Sequence, residues 1–142
     1  MHKIYQIYLI LLLTILLIGC SDNIVESVPS IDEDNVAEEL APTFTEIQNN
    51  IFNQSCAFSG CHVSGGVNPD LSGNSYENIV NRASSTGMDY VKPNDPDNSY
   101  ILLKMIGSSG INGSRMPLNS SPIPQIQIDA FIEWINDGAK NN

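Results

Sequence analysis

Apolar residues recur at helical intervals in four places along the chain, and nowhere do they alternate long enough to make a strand. Phe44, Ile47 and Ile51 fall at i, i+3 and i+7. "TFTE" (Thr43 to Glu46) stands at their head as a capping-box pattern, which predicts a helix start near Thr43. That helix leads straight into "SCAFSGCH" (Ser55 to His62). "SYENIVNR" (Ser75 to Arg82) predicts a short helix with Asn74 or Ser75 as its cap. "SYILLKMIG" (Ser99 to Gly107) predicts a helix capped around Asn98, with Tyr100, Leu103 and Ile106 at helical spacing. The last helix is the clearest: Ile128, Phe131, Ile132 and Ile135 share a face, Trp134 adds a large apolar body, and Gly138 is placed to end it. Between these lie segments rich in Gly, Ser, Asn and Pro, which read as loops. "SSGINGSRMPLNSSPIP" is long for such a domain, and loops of that length are usually functional or disordered. The expected fold class is all-α: a small domain of three to five short helices with long loops.

So few short helices bury little apolar surface. Small domains with thin cores need a staple, a metal or a cofactor.

The N-terminal residues do not belong to this pattern. His2 and Lys3 precede an apolar run from Ile7 to Ile18, shorter than the roughly 18–20 residues of a permanent membrane helix. The run ends in Leu17, Ile18, Gly19 and Cys20, which resembles the lipobox of bacterial lipoproteins. That resemblance implies cleavage before Cys20 and acylation of its sulfur. The expected organisation is a signal peptide over 1–19, lipidated Cys20 and an acidic disordered tether over 20–42, and one folded domain over 43–142. The protein is then anchored by lipid to a membrane of the cell envelope, facing the periplasm or the cell surface.

Charge supports the division. From Ser21 to Pro42 there are seven acids and no Lys or Arg, whereas from Thr43 onward nine acids face five bases. A flexible segment of that length reaches roughly 25 Å, enough to hold a small domain clear of a membrane. There is no basic footprint for nucleic acid. The acidic tether gives a reason to expect basic patches on partners.

The lipid reading accounts for one of the three cysteines and leaves Cys56 and Cys61 as a local pair, with His62 directly after the second. The residues alone permit three readings. A disulfide would staple a thin core, and an exported compartment allows it. Structural zinc usually takes four Cys or His ligands, and only three such residues follow the tether. Covalent haem needs two nearby thiols for two vinyl groups, and a histidine beside the second. The common haem signature has two residues between the cysteines; here there are four, of which Ala57, Ser59 and Gly60 are small.

"CAFSGCH", "NPDLSGNSY", "VKPNDPDNSYIL", "SRMP" and "IDAFIEWINDGA", in that order, resemble single-haem class I cytochrome c domains of bacterial envelope proteins. The resemblance covers about residues 43–140 and implies helices and loops packed around one covalent haem c, with the N- and C-terminal helices crossing beside it. It implies thioethers at Cys56 and Cys61, His62 as proximal iron ligand and Met116 as distal ligand. It also implies Arg115 facing a haem propionate and the Pro69 carbonyl on the His62 ring N–H. Met105 lies within a helix and reads as core; Met88 lies in an irregular stretch. His/Met ligation is the usual pair for electron transfer. The function implied is single-electron transfer with redox partner proteins. It is not enzymatic, since no histidine is left to act as a general base once His62 is bound. The alternative is a Cys56–Cys61 disulfide-stapled lipoprotein module that binds or supports other molecules without haem.

Overall fold

The computed structural model of the chain describes residues 39–142. The expected signal peptide, the Cys20 lipidation site and the tether as far as residue 38 lie outside the described residues. Helices and loops make up the described part. Its only β pairing is two isolated bridges, Val80 with Val91 and Ala83 with Asp89, so the domain is small and all-α.

The first rod begins where the capping box predicts. α1 (Phe44–Ile47) is capped by Thr43, whose hydroxyl accepts the Glu46 N–H at 3.3 Å. The reciprocal half of the box is not made. The Glu46 carboxylate instead accepts from Asn50 Nδ2, and the Thr43 N–H goes to the Ala41 carbonyl. Asn142 supplies further acceptors: its side-chain oxygen takes the Phe44 N–H and its backbone oxygen takes the Thr45 N–H and hydroxyl. The rod continues through a π-helical segment, Gln48–Phe52, and closes with α2 (Asn53–Ser55). The predicted Phe44, Ile47 and Ile51 face is buried, and Phe52, at the end of the π turn, is buried beside it. Packing reaches back to Leu40, which lies against the core.

α3 (Tyr76–Ile79) is shorter than the predicted Ser75–Arg82. Val80 turns extended to bridge Val91, and Asn81 adopts a positive φ of 53°, a conformation that Asn tolerates and a helix does not. A 3-10 turn (Pro96–Asn98) then leads to α4 (Tyr100–Ile106), which ends at Gly107 with φ 71°. Ser99 stands at the N-cap position, one residue beyond the predicted Asn98. The buried face of α4 is Ile101, Leu102 and Met105. The predicted stripe of Tyr100, Leu103 and Ile106 stays at the surface or half-buried.

α5 (Gln125–Asn136) buries Ile128, Ala130, Phe131, Trp134 and Ile135. It ends as its glycine predicts: the Gly138 N–H reaches the Ile135 carbonyl and the Ala139 N–H reaches that of Trp134, the paired bonds of a Schellman motif. α5 packs on the first rod through aromatic pairs, Phe44 with Trp134 at 5.8 Å and Phe52 with Phe131 at 6.0 Å between ring centres. Trp134 donates its indole N–H to the Lys140 carbonyl at 2.8 Å, which satisfies the one polar group on that ring.

Gln48 is the polar hub of this core. Its Nε2 donates to the Asn53 side chain at 2.8 Å and to the Leu71 carbonyl at 2.9 Å. Its Oε1 accepts from the Ser75 N–H at 3.1 Å and hydroxyl at 2.8 Å. One buried side chain thus ties the first rod to the loop before α3. Gln48→Ala strands these donors and acceptors in the interior. The substitution is expected to cost about 2–4 kcal/mol, read as a lower urea midpoint with an unchanged slope.

Candidate functional site

The rod delivers Cys56 at its C-terminal end, where the Cys56 and Ala57 N–H groups both bond to the Phe52 carbonyl. The four-residue spacer is then closed by two backbone bonds. The Cys61 N–H reaches the Phe58 carbonyl at 2.8 Å, and the His62 N–H reaches the Cys56 carbonyl at 3.2 Å. Phe58, Ser59 and Gly60 are exposed, and Gly60 takes a φ of 80° in this turn. The additional length therefore stands out toward solvent, while Cys56 and His62 are joined at its base.

Both thiols are free. Cys61 is exposed. Cys56 is half-buried, and loss of water together with the neighbouring Cys61 pushes its thiol up to about 11.

The loop after His62 is wound tightly around its own carbonyls. Cys61 O accepts the N–H groups of both Val63 and Val67, and Gly66 N–H bonds to the Val63 carbonyl. His62 Nδ1 lies 3.0 Å from the Pro69 carbonyl and 3.1 Å from that of Val67. Carbonyls only accept, so Nδ1 carries a proton, and the tautomer this selects has its lone pair at Nε2. The Pro69 bond is the one expected from the sequence, and Val67 adds a second acceptor. The His62 carbonyl in turn accepts the Leu71 N–H, and Leu71 O is the group held by Gln48. Next to Pro69, Asp70 Oδ1 accepts from the Ser72 hydroxyl and N–H, which hold its carboxyl below the usual aspartate range.

Met116 belongs to a different loop. It is half-buried, and its N–H donates to the Lys104 carbonyl of α4 at 2.8 Å. Arg115 crosses Gly107 with its aliphatic stem. Its guanidinium donates to the carbonyls of Met116 at 3.2 Å and Ser120 at 2.6 Å. Met105 is 4 % exposed and belongs to the core; Met88 is half-buried, with its carbonyl accepting the Ser84 N–H. The structure thus gathers Cys56, Cys61 and His62 in one closed loop, and fixes Met116 and Arg115 in another that hangs from α4.

Four large apolar side chains remain exposed among the described residues: Phe58 (51 %), Val67 (56 %), Ile106 (49 %) and Leu118 (55 %). Phe58, Val67 and Leu118 lie in the loops that carry Cys56, Cys61, His62 and Met116, and Ile106 ends α4, so most of the uncovered apolar surface shares the loops of the candidate ligands. No three His, Cys, Asp or Glu side chains cluster as metal ligands among the described residues, and none of their helices is long and apolar enough to cross a membrane. No family model, curated protein or solved structure matches the chain.

Sequence reading missed Gly66 and Lys104. Gly66 is one glycine among many in a loop. Lys104 did carry a signal, a basic residue in the last turn of a helix ahead of a loop with free carbonyls. A Cβ on Gly66 would stand 2.2 Å from the Cys61 carbonyl oxygen, so the backbone around Cys61 would have to move. Gly66→Ala is expected to cost about 1–3 kcal/mol in unfolding and to perturb the His62 ring resonances selectively in NMR spectra.

Proposed function

We propose that the chain is a membrane-tethered c-type cytochrome that carries single electrons in the bacterial cell envelope. The observation that carries this reading is the orientation of His62: its Nδ1 is tied to two backbone carbonyls, which leaves Nε2 as the free ligating atom one residue after Cys61. Imidazoles that ligate a metal usually have the other ring nitrogen fixed in this way.

The residues present fit a covalent haem c. Cys56 and Cys61 are free thiols on either side of a short turn and would hold the group by thioethers. His62 Nε2 would be the proximal donor to iron and the Met116 sulfur the distal one. Arg115 uses two N–H groups on its own loop and keeps the rest of its fork for a propionate. The exposed Phe58, Val67, Ile106 and Leu118, with the half-buried Tyr100 and Leu103, are the apolar side chains that would be available to cover the haem. Haem bound in this way supplies a one-electron iron couple whose potential a methionine ligand raises. With His62 and Met116 as ligands the protein is an electron carrier, not an enzyme. Its partners are redox proteins, and lipid on Cys20 would keep it at a membrane facing the periplasm or the cell surface.

Expressed in a host with cytochrome c assembly machinery, the protein is expected to stay red after acid–acetone extraction. The Cys56–His62 peptide should then carry a haem-sized adduct. A colourless, folded protein whose peptide is lighter by two hydrogens would show the disulfide-stapled module instead. Met116→Ala is expected to keep the covalent haem, lose the methionine–iron charge-transfer band and lower the reduction potential. A band that persists assigns the distal ligand to Met88 or Met105. Cys20→Ala should move the protein from the membrane to the soluble fraction.

A further inference from the structure

One lysine reaches three points of the loop that carries Met116. The Lys104 carbonyl accepts the Met116 N–H at 2.8 Å. Its ammonium donates to the carbonyls of Asn112 and Ser114, at 2.8 and 2.5 Å. Tyr100, one turn earlier on α4, adds its phenolic oxygen as acceptor for the Asn112 N–H at 3.3 Å. No carboxylate competes for this lysine: among the described residues the one ion pair is Lys92 with Asp95. The loop has little else to fix its register. Asn112, Gly113 and Ser114 are exposed, and Gly110 and Gly113 take φ values of 89° and 74°. A glycine-rich segment loses much conformational freedom when ordered, and charge-assisted bonds to its carbonyls are among the few contacts strong enough to offset that loss.

We propose that Lys104 is the positioning residue of Met116, setting the register of residues 112–116 so that the methionine sulfur is held at a fixed place as ligand. Lys104 touches no reacting atom; it acts through the loop. Arg115 braces the other side, on the Met116 and Ser120 carbonyls, so the methionine is gripped from both flanks. The inference rests on the cytochrome reading for its consequence at iron, and on hydrogen bonds of this chain alone for the ordering of the loop.

The test uses the haem-loaded protein with Lys104→Met, which keeps the apolar stem and removes the donors, and with Lys104→Arg, which keeps charge and donors. Far-UV circular dichroism confirms that each variant is folded. The first readout is amide hydrogen exchange over residues 108–118. Lys104→Met is expected to raise exchange there about tenfold or more, since bonds to a charged donor are lost, with α5 unchanged. Lys104→Arg is expected to recover most of the protection. The second readout is the urea concentration at which the methionine–iron charge-transfer band disappears, which should fall in Lys104→Met while covalent haem is retained. Unchanged loop exchange would overturn the proposal whichever residue ligates iron. Faster exchange with an unchanged band midpoint would overturn it also, because the loop would then be ordered by Lys104 without consequence for the ligand. A wild-type protein that lacks the band altogether counts against the ligand assignment, and the exchange readout still decides whether Lys104 orders the loop.

Discussion

The buried carboxamide of Gln48 is the contact on which the loop side of this domain depends. A core built from one interrupted rod, two short helices and one longer helix leaves most of the backbone outside regular structure. Each loop carbonyl and N–H that approaches the interior then needs its own partner. Gln48 offers two donors and one double acceptor from a single side chain; one donor goes to Asn53 on the rod itself, and the other donor and both acceptor positions go to Leu71 and Ser75. It fixes the far end of the loop whose near end is His62. The Leu71 N–H on the His62 carbonyl passes the constraint along, so the ring is oriented by the core through two hydrogen-bonded steps.

The two halves of the candidate site are supported differently. Cys56, Cys61 and His62 are held by backbone bonds that start from the rod, and their geometry follows from how the rod ends. Met116 is held by the Lys104 carbonyl of α4, and its loop by the Lys104 ammonium and by Arg115, its neighbour in that loop. A loop gripped by side chains opens more easily than one wound on its own carbonyls, because fewer of its bonds are shielded from water. On the proposed function, His62 would be the more firmly held of the two iron ligands and Met116 the more readily released.

How much of this was legible in the sequence follows from the range of the signals. The helix positions, the Thr43 cap and the Gly138 stop are local, and periodicity or a single residue type reports them. The orientation of α4 was not legible, since Tyr100, Leu103 and Ile106 match helical spacing as well as Ile101, Leu102 and Met105 do. Only the packing of α4 on its neighbours decides between the two faces. The shortened α3 was lost for a similar reason: Val80 leaves the helix for a bridge to Val91, eleven residues away. Of the candidate site, the Cys56–His62 cluster could be read from spacing, and the Pro69 carbonyl was reached only through the family resemblance. The second carbonyl on His62, the tight approach at Gly66 and the grip of Lys104 depend on how loops fold back on themselves, and no local pattern encodes that.

The meeting of Asn142 with Phe44 and Thr45 has a mechanical consequence. The start of the first rod is clasped by the last residue of the chain and backed by Trp134, so a pull arriving along the segment before Thr43 is resisted at this clasp. The load path then runs through the seam between the rod and α5. None of these contacts involves the turns at residues 56–71 and 108–118, so a force taken up at the clasp does not act on either of them directly.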